Sequence, residues 1–246
     1  MHQQDDGRTE LKCTEFVALD QRPTTGEYDR YVAIIAEMRA LGYDAQAMWE
    51  KCSFKVADVG TNAIAARADA DLLEVAHAID RDGSEAEAWV ATAKQGLLQL
   101  WDGERQRFLS IDLRTGERLL PATGATALAS WSGMLTEEQL VAVGKLLDEW
   151  EGAAGALVPS CDPAAPEFAP YRYWRGPVWV NVNWMVAEGM RGHGEEARAD
   201  RIAAHTRRLI EQSGMHEYFN PATGEGLGAT DFGWTAALAR YWLGME

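Results

Sequence analysis

Apolar residues along this chain recur mostly at intervals of three and four, so helices are expected through most of its length. Residues 1 to about 20 begin with a polar run and show no clear period. A turn after Asp20 leads into a first helix, with Tyr31, Ile34, Ile35, Met38 and Leu41 at helical spacing and Gly42 as its stop. Residues 50 to 60 read as extended and irregular. A second helix is expected from about Asn62, with Ile64, Ala68, Leu72, Val75 and Ile79 on one face and Asp82-Gly83 at its end. A third follows from Ser84, turning Trp89, Ala93, Leu97 and Leu100 inward.

Between Arg107 and Leu119 the period shortens, and two apolar runs flank Arg114-Thr-Gly116, which reads as a small β-hairpin. Helix returns near Ala125. Thr136 with Gln139 three positions on forms a capping box, opening a helix through Leu140, Val143, Leu147 and Trp150. Residues 151 to 177 form a long Gly-, Ala- and Pro-rich connection, a length that usually carries function. Pro177 suits the first turn of the next helix, which runs to about Arg191. After the turn at Gly192-His-Gly194 comes a charged amphipathic helix over 195–212. A second long loop, rich in glycine, spans 213–230, and a last helix from about Asp231 to Leu243 is expected to bury Trp234, Leu238 and Trp242. The sum is an all-α chain of helix pairs with long loops between pairs, which suits a toroid of helical hairpins with its long loops gathered on one face. An α-solenoid competes, but no repeat of roughly 34 to 47 residues is visible.

The 246 residues, 47% hydrophobic and 25% charged, fit a soluble globular protein with ample core. A formal net charge of -15 argues against nucleic acid and anionic membrane surfaces as partners. Cys13, Cys52 and Cys161 are scattered and odd in number, pointing to a reducing, cytoplasmic setting. No apolar run approaches the roughly 20 residues of a membrane span, and the acidic start at residues 1–6 is unlike a signal peptide. His193, His205 and His216 have no ligand-like spacing, so no metal is expected. The glycines at 224, 226 and 228 follow no strand signal and do not suggest a phosphate loop, so no cofactor is expected either.

Chemistry concentrates at residues 171–183, Tyr-Arg-Tyr-Trp-Arg-Gly-Pro-Val-Trp-Val-Asn-Val-Asn. Tyr173, Trp174 and Arg175 offer flat apolar faces beside hydrogen-bond donors, the combination that stacks on a pyranose and answers its hydroxyls or an attached carboxylate. A Trp-rich packing corner between helices explains the same residues, and Asn181 and Asn183 fit either sugar contacts or helix-pairing amides. In the second loop Glu217 stands between His216 and Tyr218, just before Asn220-Pro221. A carboxylate so placed can act as a general base on water, or be an ordinary solvated glutamate.

The run at 171–184, then Glu217-Tyr-Phe-Asn-Pro-Ala-Thr-Gly-Glu-Gly, then Phe232-Gly-Trp-Thr-Ala-Ala, resembles the C-terminal half of glycoside hydrolase family 63, nearest its bacterial mannosylglycerate and glucosylglycerate hydrolases. Arg22-Pro-Thr-Thr-Gly-Glu-Tyr28 and Gly42-Tyr-Asp44 resemble the same subgroup, so the likeness runs from about residue 15 onward. It implies an (α/α)6 barrel over residues 21–246, here incomplete, and an O-glycosyl hydrolase acting with inversion on a small glycoside such as glucosylglycerate or mannosylglycerate. In such enzymes a carboxylic acid and a carboxylate base stand roughly 6.5–9.5 Å apart. By the resemblance, Glu217 is the general base, Tyr173 and Trp174 line the substrate pocket with Arg175, Trp179 and Trp234 beside them, and Arg22 and Tyr28 grip the glycerate carboxylate. A helix start with a surface arginine accounts equally for the last pair.

The family's general acid is an aspartate in a Gly-Met-Asp-Asn-Ser-Pro-Arg-like segment upstream of the Arg-Pro-Thr motif. No such segment occurs in these residues, and Asp5, Asp6 and Asp20 lack its context. The sequence therefore reads as a C-terminal portion. An open toroid is expected to expose apolar faces and to self-associate or pair with a chain supplying the rest. The alternatives are a non-catalytic helical carbohydrate-binding or interaction module, and a trehalase- or oligosaccharide-glucosidase-like relative.

Overall fold

The computed structural model describes residues 17–245; Asp5, Asp6, Cys13 and most of the irregular 1–20 segment lie outside them. After a 3-10 turn at Leu19–Gln21, α1 (Thr25–Ala40) starts at a capping box in which the Thr24 hydroxyl accepts the Glu27 N–H and the Glu27 carboxylate accepts the Thr24 N–H. Those bonds hold the Glu27 carboxyl below its ordinary range. Asp44 caps a short α2 (Ala45–Lys51), a helix the sequence pattern did not suggest, and β1 (Val56–Ala57) follows. α3 (Val59–Ala78) begins three residues before the expected start because Asp58, not a later residue, accepts the Thr61 N–H.

α4 (Ser84–Gln99) falls where expected. The expected hairpin is more divided than its sequence suggests. β2 (Trp101–Asp102) pairs with β3 (Arg107–Phe108), whereas β4 (Ile111–Asp112) pairs with β1, and only a single bridge, Ile111 to Arg118, joins the two sides of the Arg114-Thr-Gly116 turn. The Asp112 carboxylate takes the Arg114 N–H and guanidinium, which tightens that turn. Next come α5 (Gly124–Leu128), a 3-10 turn at Ala129–Ser132, and α6 (Glu137–Ala154), opened by the Thr136–Gln139 box as read.

α7 (Val180–Gly192) does not start at Pro177. Val178 exchanges both backbone hydrogen bonds with Phe219, at 2.8 and 2.9 Å, so residues 177–179 are extended and the helix begins only after them. α8 (Glu196–Ser213) matches its predicted span. The second loop holds an unforeseen ribbon, β5 (Tyr218–Phe219) paired with β6 (Gly226–Leu227), and α9 (Gly233–Tyr241) closes the chain.

α3, α5 with its 3-10 turn, α7 and α9 pack side by side as an inner row, while α4, α6 and α8 back them as an outer row. This is an arc of an α/α toroid, and among the described residues it does not close into a ring. Leu97, Leu100, Phe108, Leu147, Trp150, Met190 and Ile202 fill the space between the rows. Gly189 sets how closely the inner row packs: a Cβ there would lie 2.6 Å from the Ser130 carbonyl carbon and the Trp131 nitrogen.

Four expected faces turn out otherwise. The buried side of α3 is its small side, Val59, Gly60, Ala63 and Ala66, which lets it nestle on Ala125 and Leu128. Its large residues Ile64, Leu72, Val75 and Ile79 are left 43–61% exposed, and Trp89 of α4 is 43% exposed rather than inward. α1 buries no residue at all, with Tyr31, Val32 and Ile35 exposed. Trp234, expected in the core, is 56% exposed because α9 turns Thr235 and Ala239 inward instead. Among the described residues, no helix is long and apolar enough to cross a membrane.

Candidate functional site

The two long loops meet on one side of the inner row. The β5–β6 ribbon presents Glu217 one residue before β5, and the extended strand contact between Val178 and Phe219 ties this ribbon to the aromatic run at 171–179. Glu217 is 8% exposed. Its Oε2 accepts the Ala229 N–H at 3.1 Å and Arg22 Nη2 at 3.0 Å, and its Oε1 accepts Arg22 Nη1 at 3.4 Å. Its own N–H donates to the Ala229 carbonyl. Gly228, at φ +71°, makes this possible: a Cβ there would sit 2.6 Å from Glu217 Oε2 and 2.7 Å from the Tyr218 ring.

Beside the carboxylate stands a cluster of four rings. Trp174 stacks on Trp179 at 4.0 Å with 6° between planes, and Trp179 stacks in turn on Tyr218 at 4.7 Å. Tyr173 meets all three edge-on, and its carbonyl accepts the Trp179 indole N–H. Trp179 is thus covered on both faces by protein rings and acts as a packing wall. Trp174 is 45% exposed and keeps an open face. A cavity of about 490 Å³ opens there, lined by Trp174, Trp179, Asn181, Thr61, Ser160 and Asp58 among others. Glu217 and Arg22 are outside that lining and join it through Tyr173 and Tyr218.

The segment before α1 straps this assembly. The Gln21 carbonyl accepts the Tyr173 N–H and the Tyr218 hydroxyl, while its side-chain oxygen accepts the Gly228 N–H. Arg22 lies over the Tyr173 ring, 5.1 Å from its centroid. Burial alone would lower the Arg22 pKa, but Glu217 and its hydrogen bonds outweigh that and raise it, so the guanidinium stays charged. Burial pushes the Tyr218 phenol up, so this ring acts as a neutral donor to Gln21. Arg175 pairs with Glu27 at 3.6 Å, anchoring the aromatic loop to the first turn of α1, the helix that carries Tyr28. Trp234 touches Phe232 and is not part of the ring cluster.

Of the residues nominated from sequence, the structure therefore brings together Glu217, Arg22, Tyr173, Trp174 and Trp179; Arg175 is a clasp, Tyr28 interacts electrostatically with Tyr218 of the cluster, and Trp234 packs on Phe232 instead. Asn183 proves structural, bonded within the core to Val158, Leu157 and Thr206, while Asn181 reaches the cavity. Sequence reasoning missed Gln21, whose role rests on contacts about 150 and 200 positions away and leaves no local signal. It also missed Asp58, the acid in the cavity lining, whose oxygens are taken by the Thr61 N–H and the Ser110 hydroxyl.

Residues 1–235 match the mannosylglycerate hydrolase MGH1-like glycoside hydrolase domain. The chain belongs to that family. It is 41% identical over 233 residues to a mannosylglycerate hydrolase of Thermus thermophilus, covering 95% of this chain and 56% of that one. It is 31% identical over 232 residues to a glucosylglycerate hydrolase of Mycolicibacterium hassiacum, covering 91% and 52%. A solved family 63 mannosylglycerate hydrolase from Thermus thermophilus, in complex with Tris and D-glycerate, superposes with a TM-score of 0.91 at 41% identity, over 94% of this chain and 56% of that one. The chain thus spans about half the length of the relatives it matches. Family membership also accounts for the open arc: the fold is the relatives' α/α toroid, represented here in part.

Proposed function

We propose that this chain carries the water-activating side of an inverting glycoside hydrolase whose substrate is a small glycerate glycoside, mannosylglycerate or glucosylglycerate. The observation that carries the reading is Glu217: a nearly buried carboxylate fixed by Arg22 and the Ala229 N–H and joined through Tyr173 and Tyr218 to the ring cluster whose Trp174 lines the cavity, in a chain of this family. Glu217 takes the proton of the attacking water, Trp174 stacks on the sugar, Tyr173 supports it, and Arg22 with Tyr28 binds the glycerate carboxylate. A D-glycerate found in a relative's structure supports the carboxylate-binding part. Inversion needs a second carboxylic acid to protonate the leaving oxygen. Asp58, the acid in the cavity lining, is committed to its cap and is not assigned this role, and hydrolysis by the chain alone is expected to be weak.

Titrating the purified chain with both glycosides, followed by tryptophan fluorescence, should give saturable binding that Trp174→Ala weakens at least tenfold. No binding of either glycoside would refute the reading. Any hexose released should vanish in Glu217→Gln; turnover that survives this change would remove Glu217 from the base role. Binding without turnover, unchanged in Glu217→Gln, would favour a non-catalytic carbohydrate-binding module.

A second observation bears on partners. The apolar residues left exposed on α1, α3 and α4 form faces that soluble proteins seldom leave bare. We infer that further helices of the toroid cover them, rather than a second copy, since two copies would bring together two chains each of net charge -15. Sedimentation of the purified chain with a hydrophobic dye tests this. Self-association into a defined dimer, or a monomer that binds no dye, would overturn it.

A further inference from the structure

Arg22 has the geometry of a carboxylate receptor turned on the protein's own base. Its two terminal nitrogens form a fork on the two oxygens of Glu217, and its buried Nε has no acceptor among the described residues. A guanidinium fork is the best receptor a protein has for a carboxylate, and here Glu217 fills it. On the other side of the pair, Glu217 Oε2 accepts two hydrogen bonds and Oε1 accepts one, leaving little room for a water to be held and deprotonated.

We infer that Arg22 is shared between two carboxylates: Glu217 when the site is empty, and the carboxylate of the aglycone when substrate is bound. The inference rests on reading the substrate as a glycerate glycoside and adds what selects it. Only a ligand that brings a carboxylate can take the guanidinium without leaving a buried cation and a buried anion both unpaired. A neutral glycoside leaves Glu217 locked to Arg22. Arg22 is then a specificity-determining residue that acts by releasing the base. Its location permits the exchange. It sits in irregular chain between the 3-10 turn and α1, so its side chain can turn without disturbing a helix, and the Tyr173 ring supports the guanidinium whichever carboxylate it faces.

Calorimetric titration of the full 246-residue chain tests this, with D-glycerate as probe and glycerol as its neutral counterpart. Glu217→Gln removes the competing charge, so D-glycerate should bind at least tenfold more tightly to it than to the unmodified chain. Glu217→Ala should give the same gain should the glutamine variant fail to fold. Adding Arg22→Gln to either variant should abolish the binding, and glycerol should bind none of them. Measurable binding to the unmodified chain that is equal or weaker in both Glu217 variants would overturn the sharing and leave the glycerate reading intact. A gain that persists without Arg22 would overturn it as well. No binding of D-glycerate by any folded form would refute the glycerate reading itself, and the inference with it.

Discussion

Asn183 separates a structural amide from a ligand contact, and the structure allows its cost to be worked out. Its Oδ1 accepts the Val158 N–H, and its Nδ2 donates to the Leu157 carbonyl and the Thr206 hydroxyl, all at 2.8 Å, with the side chain fully buried. Asn183→Ala leaves Val158 N–H and Leu157 C=O without partners, while Thr206 keeps its bond to the Ile202 carbonyl. An orphaned buried backbone group costs about 1–3 kcal/mol. Two of them, eased by a water entering the vacated space, give a loss of about 3 kcal/mol. Urea unfolding followed by circular dichroism should show this as a midpoint lower by about 1 M, taking m as about 3 kcal/mol/M. Thr206→Val, which removes only one of the three partners, should cost about 1 kcal/mol. A loss below about 1 kcal/mol for Asn183→Ala would refute the reasoning. So would a stability-neutral variant that had lost sugar binding.

Gly228→Ala should destabilise by about 2 kcal/mol from its left-handed backbone alone, and, by pushing Glu217 off its seat and freeing Arg22, should strengthen D-glycerate binding; a variant as stable as the parent in the same urea assay would contradict the geometry. His205 is held below its ordinary pKa by burial first, with Arg208 and Arg201 adding to this and Glu151 opposing, and its Nδ1 accepts the Leu157 N–H. Protonation therefore opposes folding: its contribution is intact above the unfolded value of about 6.5 and is lost as pH falls below it. Comparing melting temperatures of the chain and of His205→Gln between about pH 7.5 and 5 should show a steeper acid decline in the former; parallel declines would remove His205 from the account.

The helices were legible because their periodicity and caps are local. The Thr136–Gln139 box opens α6 as written, and Gly42 and the Gly192-His-Gly194 turn end helices where expected. What stayed hidden depends on partners distant in sequence. Pro177 looks like a helix start until Phe219 claims Val178, and Ile64, Leu72 and Val75 look like a core face although Gly60 and Ala63 win the close packing. In the site, Glu217 and the ring cluster carried recognisable motifs. Asp58 and Gln21 did not, one resembling an ordinary N-cap and the other an ordinary turn residue.

The strap at Gln21 and Arg22 also has a bearing on the order in which the molecule is made. The ion pair from Arg22 to Glu217 joins residues 195 positions apart, and closing a flexible loop of that length costs about 5 kcal/mol in chain entropy. Contacts of such long range are repaid only after the intervening helices have condensed. A ribosome must therefore release the chain as far as Glu217 before Arg22 can find its partner, so the strap is among the last contacts of the fold to close.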